Sequence, residues 1–355
     1  MRRATPPNIN SNAYVAQGSR LKALAFSLQP RARKGSVLLY VVWAVTLLSL
    51  FAASVGSQAA FALQVTERLS EQLRAEYLAR GAAQYAALAL ARDPTVKVDG
   101  RHESWSEDPA FQAHDLAGGS FRVTSSEPDE SVMRYGVTDE DRRLSLNAAP
   151  AEVLARLFEL VGEMREPEAV ELADAIQDWR DTDDHQSPHG AEGFYYRSLG
   201  AGYDCKDGPF ENMEELLLVR GITPALFHRL APYLTVYGSG PLNLNTAGET
   251  VLQALGLSGN GIDGLLAFRA GEDNTEGTFD DRLLISTQSL EAELKQFVPV
   301  EDLARLIQLA DAGVVGAGSA DFRMQISASS HHAAREVTVT CVTGRKGEVR
   351  LWDEH

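Results

Sequence analysis

Cysteine is nearly absent: Cys205 and Cys341 are the only two in 355 residues. Two thiols are too few for a disulfide framework and wrongly spaced for a zinc ribbon, while a single bridge in an oxidising compartment stays open. Acidic residues are missing from the first 66 positions, and no charge of either sign lies between Lys34 and Glu67. Over the whole chain the shortage is of positive charge. The formal net charge is −16, and because residues 1 to 35 carry +7, the remainder carries −23. Such a chain repels phosphate, so nucleic acid is not a default partner. Its surplus carboxylates suit divalent cations instead. There is no His-Glu-x-x-His order and no nucleophile or oxyanion pattern, so nothing in the sequence supports a hydrolytic site. Apolar residues are plentiful: 44% of the chain is of hydrophobic type, enough for a sizeable core in one to three domains.

Arg2, Arg3, Arg20, Lys22, Arg31, Arg33 and Lys34, with no Asp or Glu among them, form a basic leader that holds residues 1 to 35 on the cytoplasmic side of a membrane. The run from Val37 to Phe51, extended by small and apolar residues to Leu63, exceeds the roughly 20 residues needed to cross a bilayer as a helix. A secretory signal would have an apolar core of only about 7 to 15 residues before its cleavage site. Ala52-Ala53-Ser54 and Ser57-Gln58-Ala59 imitate such sites, but no linker follows them. Instead, Val65 to Arg92 continues as an amphipathic helix former. Glu67, Arg68, Glu71, Arg74, Glu76 and Arg80 mark its polar faces, and Leu69, Leu73, Tyr77, Ala83 and Leu88 fall at helical spacings. Asp93-Pro94 stops it. The pattern predicts one helix over 36–92, about 85 Å long at 1.5 Å per residue.

Alternating apolar and polar residues in Gly119 to Ser125 and in Val132 to Thr138, separated by Glu127-Pro128-Asp129, predict a β-hairpin. The same period returns only in Phe322 to Ile326, Glu336 to Val342 and Val349 to Trp352, with Gly344-Arg345-Lys346-Gly347 between the last two. The implied fold class is α+β. The long N-terminal transmembrane helix packs through Ala82, Ala83, Ala86, Ala87 and Ala89 on a small antiparallel sheet, and a large all-helical inserted domain interrupts that sheet. The chain then reads as a leader at 1–35, a helix at 36–92 with its transmembrane part at 36–63, a first part of the sheet at 93–143, the insert at 144–312 and C-terminal strands at 313–355.

The insert contains an internal echo. Leu144-Ser145-Leu146-Asn147 and Leu242-Asn243-Leu244-Asn245 each precede a helix start with Glu in its first turn, Glu152 and Glu249. Asn147 and Asn245 are expected to fix the strand-to-helix turn by bonding local backbone. Val219 to Phe227 and Leu255 to Ile262 resemble helix-hairpin-helix turns, whose glycine-rich hairpins offer amides to phosphate in DNA-binding examples. Glu211, Glu214, Glu215, Asp263, Glu272 and Asp273 surround them here, so compact helix packing is the favoured role.

The densest chemistry lies in Asp178-Trp179-Arg180-Asp181-Thr182-Asp183-Asp184, followed by His185, His189, a turn at Gly190, and Glu192. Hard oxygen ligands on a flexible loop suit Ca²⁺, which takes six to eight oxygens, although the EF-hand pattern does not align. Composition alone is equally compatible with a solvated acidic loop. Zinc held by His185 and His189 is a weaker rival, because Pro188 interrupts any helix between them. Ligand chemistry selects Asp181, Asp183, Asp184 and Glu192 first, and Asp178, Asp204 and Asp207 second, with Cys205 out of place in an oxygen-rich site.

A basic leader ending in Gly35, an apolar helix starting at Ser36 and an amphipathic second half resemble the type IV prepilins and type II secretion pseudopilins. That resemblance implies cleavage after Gly35 by a prepilin peptidase and methylation of Ser36. Most members carry Glu at the fifth mature position, where this chain has Tyr40. In the family that Glu meets the terminal amine of the subunit assembled before it, and an unpaired carboxylate in a bilayer is costly. A subunit with nothing above it has no amine to meet. The long leader with Pro6, Pro7 and Pro30 is a further departure, as is Ser36 where Phe or Met is common.

Further along, Asp178 to Asp184, Gly190-Ala191-Glu192, Tyr195-Tyr196, Pro209-Phe210, Glu215-Leu216, Gly221 to Pro224 and Leu242 to Ala247 follow the order of the general secretion pathway protein K family. The resemblance covers residues 31 to 352. It implies a minor pseudopilin at the tip of the type II secretion pseudopilus, with no catalysis of its own, and a pilin-like sheet bearing a helical domain with SAM-like turns and calcium. It also implies assembly with pseudopilins I and J, and a single pass through the inner membrane with the body in the periplasm. Tyr40, Val65, Leu69, Leu73 and Tyr77 are the partner-interface residues this suggests, the alternative for the last four being packing on the chain's own sheet. A minor pilin of a related type IV pilus system, a membrane-anchored metal-dependent hydrolase and a surface DNA receptor are the competing readings.

Overall fold

The computed structural model describes residues 36–116, 118–125, 133–200, 202–331 and 336–355. The leader with Gly35, and the Glu127-Pro128-Asp129 turn, lie outside the described residues. The chain divides into two units at Val65 and Thr66. In the first, the apolar run is helical from the start of α1 (Ser36–Ala91). Its side chains are exposed, Leu39 at 72% and Trp43 at 70%, and the helix is long and apolar enough to cross a membrane. Hydroxyls of Thr46, Ser49 and Ser57 donate to the carbonyls of Trp43, Val45 and Ser54, which satisfies them without water.

In the second unit, the sheet side begins with β1 (His114–Leu116), β2 (Gly119–Thr124) and β3 (Thr138–Asp139). The helical block follows: β4 (Leu144–Ser145), α2 (Ala151–Gly162), α3 (Glu166–Arg180), α4 (Gly193–Ser198), α5 (Pro224–Leu230) and β5 (Leu234–Thr235). It continues through β6 (Leu242–Asn243), α6 (Glu249–Ala254), α7 (Gly259–Arg269), α8 (Leu290–Leu294), α9 (Val300–Asp311) and β7 (Val315–Gly316). The chain then returns to the sheet with β8 (Asp321–Ser330), β9 (Val337–Gly344) and β10 (Val349–Glu354).

Strands β1, β2, β8, β9 and β10 lie in that order in one antiparallel sheet, and β3 pairs with β8 beyond the end of β2. β2 takes Gln325 to Ser330, and β3 takes Phe322 and Arg323. This differs from the expected hairpin, since among the described residues the second run meets the first at one bridge, Ser125 with Arg134. The backbone groups that a hairpin needs are engaged elsewhere. Asp108 N–H donates to the Tyr135 carbonyl and Val137 N–H to that of Trp105, and Gly136 lies so near the Ser106 carbonyl that a Cβ would collide with it.

Alternate residues Phe322, Met324, Ile326 and Ala328 of β8 face inward with Phe121, Val123, Val339 and Cys341. Ala79, Ala82, Ala83 and Ala86 of α1 pack in the same core, where the absence of long side chains lets the helix backbone come close to the sheet. The opposite face of α1 carries Leu69, Leu73 and Tyr77, more than half exposed.

The helical block has one continuous core drawn from both of its halves. Two parallel two-residue bridges, β4 with β5 and β6 with β7, stitch its ends. The sequence echo is also an echo in space. Asn147 donates to the Phe210 carbonyl at 3.0 Å and accepts Phe210 N–H at 2.8 Å. Asn245 does the same to Leu284, at 3.1 and 2.8 Å. Both clamp distant backbone, where a local bond was expected. Arg180, ending α3, donates to the Leu146 and Ala149 carbonyls, and Arg269, ending α7, donates to those of Leu244 and Ala247. The hairpin turns match as well: Gly221 and Gly256 both sit at φ +92°, two residues before the capping hydroxyls of Thr223 and Ser258.

A buried neck joins block to sheet. Glu140 accepts two bonds from Arg323 at 2.8 Å and one from Thr235 at 2.7 Å, with Arg143 at 3.6 Å. Burial works to raise its pKa, but Arg143 and Arg323 hold it at about 2. Asp141 receives the N–H groups of Ser239 and Ala320, and Asp99 receives Ser319 N–H and the Arg345 guanidinium. At these two carboxyls burial prevails, pushing each up to about 7, with the charge of Asp139 adding to it.

Candidate metal centre

Asp178 sits in the last turn of α3, on the face that also buries Leu172, Ala175 and Trp179, so the helix carries a carboxylate into the core. Trp179 meets Tyr196 edge to face and stacks on Phe210, fixing that turn. The chain then loops back over the carboxylate. Ser187 N–H donates to Asp178 Oδ1 at 3.0 Å, and Gly190 lies so close that any Cβ there would collide with the Asp178 carboxylate. Arg220 and Gln186 hold the returning loop through the Gly190 carbonyl, at 2.9 and 2.7 Å. Glu192 follows at the start of α4, 6% exposed.

The carboxylates that meet here are Asp178, Asp181, Glu192 and Asp207. Asp178 Oδ2, Asp181 Oδ1 and both oxygens of Glu192 are buried without a hydrogen-bond partner. Burial raises the pKa of Glu192, and the nearby charges of Asp178, Asp207 and Asp181 raise it further. Burial likewise raises that of Asp181. No hydrogen bond from Arg180 or Arg220 reaches these carboxylates, because both spend donors on backbone carbonyls and Arg180 also on Gln177 Oε1. Unpaired buried carboxylates cost several kcal/mol each unless a proton or cation joins them. Their donor set of hard oxygens fits a divalent cation. Cys205 Sγ and carboxylate oxygens of Glu192 and Asp207 lie within 4.8 Å of one another.

The other sequence candidates face elsewhere. Asp183 is exposed and accepts the backbone N–H of His185, Asp184 is exposed, and Asp204 pairs with Arg197 at 2.6 Å on the surface. His185 and His189 point to solvent, His189 towards Asp174 at 3.3 Å. Cys205 and Cys341 are free thiols buried in separate cores. The sequence marks Gly190 only as a turn before Glu192; its close approach to the Asp178 carboxylate, twelve residues earlier, is what the structure adds.

The second half of the block has its own acidic loop after Arg269, and there Asp280, Asp281 and Glu276 meet amides, a hydroxyl or guanidinium groups of the protein, Glu276 Oε1 through its ion pair with Arg269. Asp280 accepts Glu272 N–H, Asp273 N–H and the Thr278 hydroxyl, which hold its pKa at about 2. Asp281 accepts Gly277 N–H at 2.8 Å. Glu276 bridges Arg101 at 2.6 Å and Arg269 at 2.7 Å.

The family model described as type II secretion system (T2SS), protein K, matches residues 134–239. Type II secretion system protein K of Klebsiella pneumoniae is 28% identical over 229 residues, 60% of this chain and 65% of that protein. The protein of the same name from Aeromonas hydrophila is 29% identical over 249 residues, 66% of this chain and 74% of that one. The matches thus span from just under two thirds to about three quarters of these relatives. A chain in the crystal structure of the GspK-GspI-GspJ complex from enterotoxigenic Escherichia coli shares the fold, with a TM-score of 0.57 at 17% identity, covering 84% of this chain and 99% of that one. Helix, interrupted sheet and helical block agree with these matches: the chain is similar to type II secretion system protein K, with the family model matching over residues 134–239.

Proposed function

We propose that this chain is the minor pseudopilin at the tip of the type II secretion pseudopilus, where it starts or caps the filament that drives folded proteins across the outer membrane. The observation that carries this reading is a single helix, α1, that is lipid-compatible at one end and core-forming at the other, in a chain similar to type II secretion system protein K. Prepilin peptidase removes residues 1–35, the new terminus at Ser36 is methylated, and the helix stays in the inner membrane with the body in the periplasm. Tyr40 in place of Glu suits a subunit that has no predecessor's amine to pair with. The exposed stripe of Leu69, Leu73 and Tyr77, with Val65 and Tyr40 nearer the N-terminus, receives the helices of pseudopilins I and J. The chain acts by assembly, and a structural Ca²⁺ held by Asp178, Asp181, Glu192 and Asp207 steadies the loops of the helical block. Bound only by the folded state, such an ion stabilises it by mass action.

Co-expression with a prepilin peptidase and mass spectrometry of the product test the processing. The expected N-terminus is methylated Ser36; an intact leader or a start near Ala59 overturns the assignment. Co-purification with pseudopilins I and J should survive in the wild type and weaken when Leu73 and Tyr77 are changed to Asp.

A further inference from the structure

Beside the neck, the end of α7 closes a cavity of about 340 Å³, within the range that holds small molecules. Of its lining residues Arg142, Ala247, Arg269 and Ala270 are buried and form the floor, while Glu249, Ala267 and Asn274 stand exposed at the mouth. We propose that this cavity binds a carboxylate carried on a short apolar stem, with Arg101, Arg142 and Arg269 receiving the charge and Ala247, Leu266 and Ala270 the stem. Lining charge sets the class of ligand. Three guanidinium groups stand against two carboxylates, Glu249 and Glu276, so the lining carries one positive charge in excess. One monoanion balances it, and a phosphate dianion would overshoot.

The arginines are also crowded. Burial, and after it the charge of Arg142, push the pKa of Arg101 down to about 10, with Arg134 and Arg269 adding to the repulsion and Glu276 opposing it. A further anion relieves that repulsion. Glu276 shows which acid these groups accept, since its carboxylate spans Arg101 at 2.6 Å and Arg269 at 2.7 Å. Planar guanidinium and planar carboxylate match. Arg269, 3% exposed, gives Nη1 to the Leu244 and Ala247 carbonyls, and its buried Nε has no hydrogen-bond partner. An unmet donor in the wall of a cavity is completed by an incoming oxygen. The three arginines come from different parts of the chain: Arg101 precedes β1, Arg142 belongs to the neck and Arg269 ends α7. A ligand held by all three fastens the helical block to the sheet and stabilises the folded body by mass action.

The test is calorimetric titration of the full chain in detergent with butyrate, and with butyramide as its uncharged counterpart of the same shape. Butyrate should bind with a Kd on the order of 1 mM and raise the melting temperature, and butyramide should do neither. Arg142→Gln should weaken binding about tenfold, and Glu249→Gln should tighten it by up to about fivefold. Ala267→Trp, at an exposed position of α7, should block the mouth and abolish binding while the ligand-free melting temperature stays unchanged. Should Arg142→Gln fail to fold, Ala267→Trp and Glu249→Gln decide. The acetylated tripeptide Ala-Ala-Val, with a free or an amidated C-terminus, separates two sources of the same chemistry. Tighter binding of the free acid than of butyrate assigns the site to a chain terminus, and binding of butyrate alone assigns it to a small free acid. No binding of butyrate, equal binding of butyramide, tighter binding of inorganic phosphate, or undiminished binding by Ala267→Trp overturns the proposal.

Discussion

The two halves of the helical block share a scaffold and differ in how their acidic loops are neutralised. In each, an Asn after Leu-x-Leu clamps a distant residue and an Arg at a helix end holds the intervening carbonyls: Asn147 with Arg180 in one, Asn245 with Arg269 in the other. Beyond the Arg they part. The first loop gathers Asp178, Asp181 and Glu192 with no cation from the protein, while the second bonds Asp280 and Asp281 to its own amides and sets Glu276 between two guanidinium groups. The lesson is that the same backbone clamps accompany two different loop chemistries: one loop meets its charge with partners from the protein, and the other leaves carboxylate oxygens of Asp178, Asp181 and Glu192 without a hydrogen-bond partner.

The comparison breaks most readily at Arg269. Arg269→Met removes both the carbonyl contacts and one partner of a buried carboxylate, and should destabilise the body by about 3 to 5 kcal/mol in denaturant melts. Arg180→Met loses carbonyl contacts and the hydrogen bond to Gln177 Oε1 but no ion pair within 4 Å, so it should cost less, and an equal loss would show that the two arginines are equivalent. Next in size is calcium. At about 1,000 times its dissociation constant, the ion should add about 4 kcal/mol, lost on adding chelator. Glu192→Gln should abolish that shift while raising the metal-free melting temperature, because it removes a crowded charge. Asp280→Asn should leave the calcium shift intact.

Smaller effects sharpen the shared scaffold. Asn245→Ala should cost about 2 to 3 kcal/mol and Asn147→Ala somewhat less, since Asn245 is the more deeply buried and also holds the Ala317 carbonyl. A reversed order in equilibrium melts would show that the clamps are not equivalent. Acidity provides a control common to both halves. Asp99 and Asp141 have folded pKa values of about 7 against 3.8 unfolded. The folded state therefore binds more protons between those limits, and stability rises as pH falls from about 7 to 4, by at most about 1.4 kcal/mol per unit for each group. Below pH 4 the sign turns: Glu140 and Asp280, held at about 2, must be protonated, and their contribution is lost. A melting temperature that stays flat from pH 8 to 5 in chelator would contradict the neck as described.

How legible was all this in the sequence? Periodicity was enough for β2, β8 and the second half of α1, which bury one face, while the unbroken apolar run marked the first half of α1 and sequence alternation alone marked β10, which stays exposed or half-buried. The second half of the hairpin could not be read, because Tyr135 to Val137 alternate like a strand yet bond to the Trp105 to Asp108 loop. The Leu-x-Leu-Asn echo marked two important Asn residues but not their partners, which lie 63 and 39 residues away and are set by tertiary folding. For the acidic loop, composition located the segment but not the orientations. Whether Asp178 or Asp183 faces inward depends on where α3 stops and on Gly190 lying against the Asp178 carboxylate.

The register of β3 with β8 has a consequence for the attachment of the block. Asp139 pairs with Phe322, so the chain leaves the sheet and re-enters it on adjacent strands, in register, after a detour through the whole helical block. Glu140 and Asp321 are already joined by a backbone hydrogen bond at that gap. A short turn there would close the sheet without moving a strand. Lengthening such an excursion is also thermodynamically mild, at about 0.6 kcal/mol of closure entropy per doubling. In topological terms the block is a cassette: two neighbouring strand ends and a neck that buries its charges are all that tie it to the sheet's register.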